Sequence, residues 1–493
     1  MTSSLPTTEL TLYEQVADRL QQSIADGTLQ PGDRLPSVRK LRQQMSVSMS
    51  TVLEAYRLLE DRGLIAARPQ SGYYVKQTAL EMPAEPHPSA PPRQVSAVDT
   101  SLAFRLMQTV SNPDLVQLGA ALPGMDYLPL NALNRLMGQI LRSDPVRAHA
   151  YSTVPGCEEL RREIAKRMLD AGCSVSPDQV LTTNGTTEAV YLSLRAATCP
   201  GDTVAIESPC YYGLLETLKS LGLQALPLPT HPRDGISLEA LEAALQTGNV
   251  TACLVVSNFS NPLGSCMGDR QKQTLVSLLN QYQVPLVEDD IYGELYFEGD
   301  RPRAIKAFDT EGWVLYCSSF SKTLSPGLRV GWAIAERYQR QMEQLKVVVN
   351  HMSAIAPQLT VAALLANGGY DRHLRQLRRA YQSQTGHMLR AICDYFPAET
   401  RVTQPRGGHV LWVEMPEIFD AIALYEEALS QGISIAPGPM FSVSGHCFRH
   451  CFRLNTGLPW SDEIDAAMQT IGYLAKRQLA RKILETDRPG NIF

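Results

Sequence analysis

Four short apolar runs limit the folds open to this chain. VAIES (204–208), ACLVVSN (252–258), PLVEDD (285–290) and VLYCSS (314–319) are rich in β-branched residues, and each is followed by a polar or glycine-containing turn. Helical stretches such as Arg270 to Tyr282 separate them. This alternation predicts a largely parallel sheet with helices on both faces, a design that binds ligands at the carboxyl ends of its strands. Beyond about Asn350 the pattern changes to helices and then short strands, LWVEM, ISIAP and CFRLN, as in a smaller α+β lobe.

The strand ends carry a set of groups with related chemistry. VLYCSS runs into SSFSKTLSPGLRVG (318–331), which places Lys322 in a hydroxyl-rich turn with Arg329 seven residues later. A lysine held at the end of a rigid strand can form a Schiff base with an aldehyde, while Ser319, Ser321 and Arg329 offer hydroxyls and a planar cation to a phosphate. In TTNGTTEA (182–189) a strand meets a helix, so Gly185, Thr186 and Thr187 can present backbone N–H groups and hydroxyls to an anion at the helix N-terminus. Tyr211, in ESPCYYG, can lay its ring on a flat aromatic ligand.

Asn261, in SNFSNPLG, can donate its amide to a phenolic oxygen. In VEDDIYGEL, Asp289 ends an apolar strand with Tyr292 three residues on. A carboxylate buried there needs a partner, and a protonated pyridine nitrogen is one. Taken singly, these features also read as a surface lysine, a plain helix cap, a core tyrosine and a solvated acidic run. Together they are what pyridoxal phosphate requires.

The first segment, residues 1–76, has a different pattern. Val16, Leu20 and Ile24 recur at helical spacing, and Gly27 and the Pro31-Gly32 turn follow as stops. Ser37 can cap a second short helix carrying Val38, Leu41 and Met45. A third helix starts in SVSMST and turns Val52, Ala55, Tyr56 and Leu59 inward until Gly63 ends it. LIAARPQSGYYV then alternates into two short strands around a turn, completing the outline of a winged helix-turn-helix. The charged residues between Pro31 and Thr51 are Asp33 against Arg34, Arg39, Lys40 and Arg42, a basic window inside a chain of net charge -5.

Residues 77–99 include EMPAEPHPSAPPRQ, whose prolines and lack of aliphatic anchors predict an extended, semi-rigid linker. The expected domains are therefore 1–76, the linker 77–99, and 100–493, the last divided into a large part at about 115–345 and a small lobe at about 350–480. The start MTSSLPTTEL has no basic stretch leading into an apolar run, and no segment reaches the roughly 18 apolar residues that span a bilayer. A cytoplasmic protein without a membrane partner is expected. All ten cysteines lie from Cys157 onward with no C-x-x-C spacing, which suits buried thiols of a reducing compartment. The pairs His446-Cys447 and His450-Cys451 sit too close together in a loop-to-strand segment to converge easily on one ion, so no metal site is expected.

LPSVRKLRQQMSVSMSTVLEAYRLLEDRGLI with ARPQSGYYV resembles the DNA-binding domain of GntR-type bacterial regulators. The resemblance implies that the third helix enters the major groove of double-stranded DNA and that the wing touches the backbone or minor groove. By position, Arg34, Arg39, Ser48, Ser50, Thr51 and Arg68 are the implied DNA contacts. Met49 departs from the family, where an arginine is common, and the missing cation puts the usual half-site preference in doubt.

The ordered series N-G-T-T, P-x-Y, N-P-x-G, D-x-x-Y, S-x-S-K and a late F-R-L resembles the fold type I, aspartate-aminotransferase-like family across nearly all of residues 101–480. By that match Lys322 would carry pyridoxal 5'-phosphate, Asp289 its ring nitrogen, and Asn261 with Tyr292 its ring hydroxyl. Gly185, Thr186, Thr187, Ser319 and Arg329 would hold the phosphate beneath a ring stacked on Tyr211. Arg453, in CFRLNTG, would bind the α-carboxylate of an amino acid. Tyr151, in YSTVPG, looks like the tyrosine that reaches a neighbouring subunit's phosphate, which implies a homodimer.

A winged helix joined by a proline-rich linker to an aminotransferase-like body resembles the MocR subgroup of GntR regulators. The resemblance implies a fold type I, α/β domain with a small α+β lobe, serving as a dimeric sensor of an amine or amino acid. Two other readings fit the same residues: a working aminotransferase acting on an α-amino acid, and a regulator that responds to the cofactor itself.

Overall fold

The computed structural model describes residues 11–25, 28–30, 32–62, 64–68, 71–75, 82–92, 94–98, 100–109 and 112–486. The chain divides into two compact units, Met1–Met82 and Pro83–Phe493.

The first unit holds α1 (Leu12–Ala25), α2 (Val38–Met45), α3 (Met49–Asp61) and an antiparallel hairpin of β1 (Ile65–Arg68) and β2 (Gly72–Val75). Ser37 caps α2 by accepting from the Lys40 N–H at 3.3 Å, and Ser46 ends it in the left-handed region at φ 53. Ser48 caps α3 by accepting from the Thr51 N–H at 3.1 Å. These caps satisfy backbone donors at two closely spaced helix starts and so fix the turn between the helices. Val16, Leu20, Leu41, Val52, Ala55, Tyr56 and Leu59 close the core with Ile65 and Val75 of the hairpin. The expected stops at Gly27 and Gly63, and Pro31 of the expected turn, lie outside the described residues.

In the second unit an eight-stranded sheet runs in the spatial order Val180–Thr183, Gly331–Ile334, Val314–Ser319, Leu286–Asp289, Ala252–Val255, Thr203–Ser208, Gln224–His231, Gly235–Ile236. All four apolar runs are strands of its parallel centre. Every residue of those four strands is buried, which is why they read as continuous apolar runs rather than alternating ones. Gly331–Ile334 runs against its neighbours. The loop from Ser319 to Gly331, which carries Lys322, is too short for the helical crossover a parallel neighbour needs.

The smaller lobe is built on an antiparallel sheet in the order Arg401–Val402, Val410–Glu414, Cys451–Asn455, Ala436–Pro437. ISIAP is two strands rather than one: Ile433–Ser434 pairs with Val116–Gln117, and only Ala436–Pro437 joins the lobe's sheet. The lobe also begins later than about residue 350. Helix Ile355–Ala366 packs Val361, Ala362 and Leu364 into the larger core, and the 27-residue helix Gly369–Tyr395 serves both cores. Its first half buries Tyr370, Leu374, Leu377 and Tyr381 in the larger core, and its second half buries Met388, Ala391 and Ile392 in the smaller. A change to helical pattern therefore does not mark the change of core.

The proline-rich segment is docked as an extended strap on the second unit. Ala84 O accepts from Val402 N at 3.0 Å, the His87 N–H donates to Glu414 Oε2 at 3.0 Å, and the Ser89 N–H donates to Thr230 O at 3.0 Å. Composition gave no sign of this because the strap is fastened mainly by backbone groups and polar side chains, with Pro86, Pro91 and Val98 buried among its described residues.

Leu59 is fully buried in the first unit. Leu59→Ala should destabilise that unit by about 2–5 kcal/mol, the range for a truncated core leucine. Denaturant unfolding of the full chain should show an earlier transition for residues 11–75 and an unchanged one for the rest.

Candidate functional site

A cavity of about 250 Å³ lies at the carboxyl ends of the parallel strands. Thr186, Thr187, Tyr211, Asn261, Asp289, Tyr292, Ser321, Lys322 and Arg329 all line it. Residues spread over more than 140 positions meet here because each stands at a strand end, at a helix start or in the connection that follows a strand.

Lys322 reaches across the cavity and donates from Nζ to Ala121 O at 2.6 Å. Burial, helped by the positive charge of Arg453, pulls its ammonium from the ordinary 10.5 down to about 8, against the opposing pull of Asp289. Asp289 is buried, and burial pushes its carboxyl up to about 7 although Oδ1 accepts from the Ile291 N–H at 3.1 Å. A buried carboxylate with one backbone donor on a cavity wall is suited to a cationic N–H from a ligand.

On another wall Asn261 donates from Nδ2 to Tyr292 Oη at 3.3 Å. Its amide is held in that sense from behind, since Arg453 Nη1 donates to Asn261 Oδ1 at 2.8 Å. Arg453 is fully buried, donates from Nη2 to Gly119 O, and has no partner at Nε.

Helix Thr186–Ala197 starts at Gly185 with no side-chain cap, so its first N–H groups face the cavity's end. The Thr186 hydroxyl beside them is buried without a partner. Arg329 lies over this corner in the left-handed region at φ 52, donating from Nη2 to Asn184 O at 2.7 Å and from Nη1 to Ser321 Oγ at 3.3 Å. Gly185 itself has φ 83, and a Cβ there would stand 2.5 Å from Arg329 Nη2. An uncapped helix start, an unpaired hydroxyl and a guanidinium together make an anion site. With the carboxylate of Asp289 on another wall, the residues present fit a flat pyridine that carries a phosphate.

Four residues expected at the site do not line the cavity. Ser319 is buried at its strand's end, and its Oγ accepts from the Ser321 N–H at 3.3 Å. Gly185 supports Arg329 instead of facing the space. Arg453 stands behind Asn261. Tyr151 is 83% exposed, with its ring 5.4 Å from that of His351. The cavity also uses residues that sequence reasoning missed. Ala121 and Leu122 close one side, Tyr212 packs its ring 4.6 Å from that of Tyr211, and Ile291 and Val190 supply apolar wall. His409 sits edge-on to Tyr292 at 5.6 Å, and burial with the nearby Lys322 charge pushes its imidazole down to about 3, so the ring is neutral.

In the first unit the expected DNA contacts cluster at the start of α3 and on the hairpin. Ser48 Oγ lies 2.7 Å from Ser50 Oγ and 2.8 Å from Thr51 Oγ1, and Met49 beside them is 44% exposed. Arg39 is exposed on α2. Arg68 stacks its guanidinium 4.4 Å from the Tyr74 ring centroid, and Arg34 pairs with Tyr74 through a backbone bridge. The hairpin is thus a rigid support for two cations.

In the cofactor-free chain, labelling of Lys322 by an amine-directed reagent, read by peptide mass spectrometry, should have its midpoint near pH 8. Arg453→Gln removes a neighbouring positive charge and should move that midpoint upward. A wild-type midpoint near the ordinary 10.5 would contradict the burial of this amine.

Comparison with known proteins bears on both units. The sequence profile described as "Aminotransferase class I and II" matches residues 125–471, and that described as "Bacterial regulatory proteins, gntR family" matches residues 12–75. The HTH-type transcriptional regulator YdcR of Escherichia coli is 42% identical over 95% of this chain and 99% of that protein. YjiR, another HTH-type transcriptional regulator of Escherichia coli, is 36% identical over 95% of this chain and 100% of that protein. Among solved structures, the multiple substrate aminotransferase of Thermococcus profundus superposes with TM-score 0.72 at 27% identity, over 78% of this chain and 96% of its own. The α-aminoadipate aminotransferase LysN of Thermus thermophilus, solved with N-(5'-phosphopyridoxyl)-L-leucine, also gives TM-score 0.72, at 28% identity over 78% of this chain and 97% of its own. With a GntR-type winged helix and a class I and II aminotransferase domain in one polypeptide, the chain belongs to the MocR-type family of HTH regulators.

Proposed function

We propose that this chain is a DNA-binding transcriptional regulator that holds pyridoxal 5'-phosphate through Lys322 and uses it to detect an amine or amino acid. The observation that carries the reading is that one chain joins a GntR-type unit to a cavity in which a lysine, a carboxylate and an anion corner meet. When bound, the cofactor supplies an aldehyde that captures primary amines and a ring that withdraws electrons from them.

The chain's own residues prepare for this. With its ammonium held down to about 8, Lys322 presents a larger neutral fraction near neutral pH than an ordinary lysine, as nucleophilic attachment requires. Asp289 would hold a proton on the ring nitrogen, and Asn261 with Tyr292 would orient the ring hydroxyl. The start of helix Thr186–Ala197, with Thr187, Ser321 and Arg329, would take the phosphate. An α-carboxylate would be received by Arg453, whose Nε has no partner and whose Nη2 would exchange the Gly119 carbonyl for the ligand. Tyr151 is turned outward, as a residue serving a second copy of the chain would be. Arg34, Arg39, Ser48, Ser50, Thr51 and Arg68 contact duplex DNA. Coupling needs only that the amine favour one arrangement of the protein over another.

A second reading, turnover as an aminotransferase, is favoured by one feature: Lys322 has the proton affinity of a general base at mildly alkaline pH.

Mixing the full chain with a panel of amines and amino acids, while following the visible spectrum and keto-acid release together, separates the two. Spectral change without turnover is the expected result, and multiple turnover would establish the enzyme. Lys322→Ala should abolish the lysine-linked visible band with the fold retained. Deleting residues 1–76 should eliminate specific duplex binding while the band persists. Arg453→Lys should weaken the response to α-amino acids at least tenfold more than the response to amines lacking the carboxylate.

A further inference from the structure

Where the strap crosses the smaller lobe it meets a cluster of metal-ligating side chains that take no part in the lysine cavity. Glu414 ends strand Val410–Glu414, and Cys451 starts the adjacent antiparallel strand directly opposite it. His450 precedes Cys451. Ligand atoms of Glu414, His450 and Cys451 all lie within 4.8 Å of one another. From the strap, His87 places Nδ1 2.5 Å from Glu414 Oε1 while its backbone N–H holds Glu414 Oε2 at 3.0 Å. All four border one cavity of about 530 Å³.

A simple ion pair between His87 and Glu414 accounts for two of these residues and leaves the imidazole of His450 outside it, while the buried Cys451 thiol has the Trp412 side chain as its neighbour. Arg401, the cross-strand partner of Glu414, approaches its Oε1 only to 4.0 Å and so does not saturate the carboxylate. The set, two imidazoles, a thiol and a carboxylate, matches the nitrogen, sulfur and oxygen donors of closed four-coordinate sites. Donors sharing one tetrahedral ion stand roughly 3.3–3.8 Å apart, so side-chain shifts of about 1 Å close the set of three, and the exposed His87 ring, already against Glu414, swings inward to complete it. His450 and Cys451 belong to the segment whose spacing alone predicts no metal site. Strand pairing and the strap bring the remaining donors from elsewhere.

We propose that Glu414, His450 and Cys451, with His87 as the fourth ligand, bind one divalent cation of the zinc class, and that this ion pins residues 83–92 to the smaller lobe. The strap leads in sequence toward the winged-helix unit, and the ion adds a side-chain link to the bonds that already hold residues 83–89 to the second unit. This site is independent of the cofactor and of the function proposed above.

The test uses the full-length, tag-free protein, stripped with a chelator and titrated with Zn²⁺ by calorimetry and with Co²⁺ by difference absorption. One equivalent should bind, and the Co²⁺ form should show a thiolate charge-transfer band that Cys451→Ser removes. His450→Ala and His87→Ala should each weaken Zn²⁺ binding at least tenfold, and the His87 side chain is 66% exposed, so its removal leaves the fold intact. Absence of binding, a thiolate band that survives Cys451→Ser, or affinity unchanged in His450→Ala would overturn the site. Affinity unchanged in His87→Ala would overturn the pinning of the strap.

Discussion

The parallel register between Leu286–Asp289 and Val314–Ser319 is the constraint on which the cavity depends. It sets Cys317 opposite Asp289, so the loop that carries Lys322 leaves the sheet beside the carboxylate. Side chains alternate across a strand, and a slip of one residue would exchange Asp289 for one of its acidic neighbours. Those neighbours are already engaged elsewhere. Glu288 accepts from Ser257 Oγ at 2.6 Å and from the N–H groups of Ile305 and Lys306 at 2.7 and 2.9 Å. Asp290 takes Arg301 at 2.8 Å, the Tyr316 hydroxyl at 2.9 Å and the Asn258 amide at 2.7 Å. Of three consecutive carboxylates, Asp289 is the one lining the cavity, and the other two are engaged by the partners just named.

Burial in the cavity wall brings two unlike groups toward neutrality. Asp289 rises to about 7 and Lys322 falls to about 8, in both cases first through loss of hydration. Each opposes part of that loss in the other only weakly, through its charge. A cationic ring nitrogen beside Asp289 would restore the carboxylate's charge more effectively than the lysine does. Arg453 and Arg329 act in the opposite sense on Lys322, since both lower its affinity for a proton. The arginines are thus electrostatic parts of the lysine's environment whether or not they touch a ligand.

Much of this was legible in the sequence, for identifiable reasons. The fully buried strands announced themselves because parallel sheets bury both faces, and the convergence of Lys322, Asp289, Asn261 and Thr186 on one cavity was legible because strand ends and helix starts limit where such side chains can be. The carbonyl of Ala121 was not found because any residue type supplies one. Ser319 was misplaced by proximity to Lys322: in a strand end that turns sharply, its hydroxyl is consumed by the Ser321 N–H. Arg453 was legible as a buried arginine on its strand, but not its place behind Asn261, because the sequence does not show which side chain stands in front. The lobe boundary was missed because one helix, Gly369–Tyr395, serves two cores and carries a single uninterrupted pattern across them.

The strap illustrates a different limit of sequence reading, and it ties the two lobes together. A segment without aliphatic anchors cannot bury a core of its own, yet it can pair with the edges of someone else's. One end of this segment is bonded to the smaller lobe, through Val402 and Glu414. A few residues on, Ser89 is bonded to Thr230 and Ser208 of the large sheet, and Ser96 bridges to Ala225. Extended chain has almost no slack, at most roughly 3.3–3.6 Å per residue, so its two attachments cannot separate freely. Any displacement of the smaller lobe against the large sheet must therefore break one set of strap bonds or carry the strap along. The cavity lies at the carboxyl edge of that same sheet, with Arg453 and Gly119 coupling it to the lobe. A ligand that draws on Arg453 thus acts on the same pair of bodies that the strap bridges.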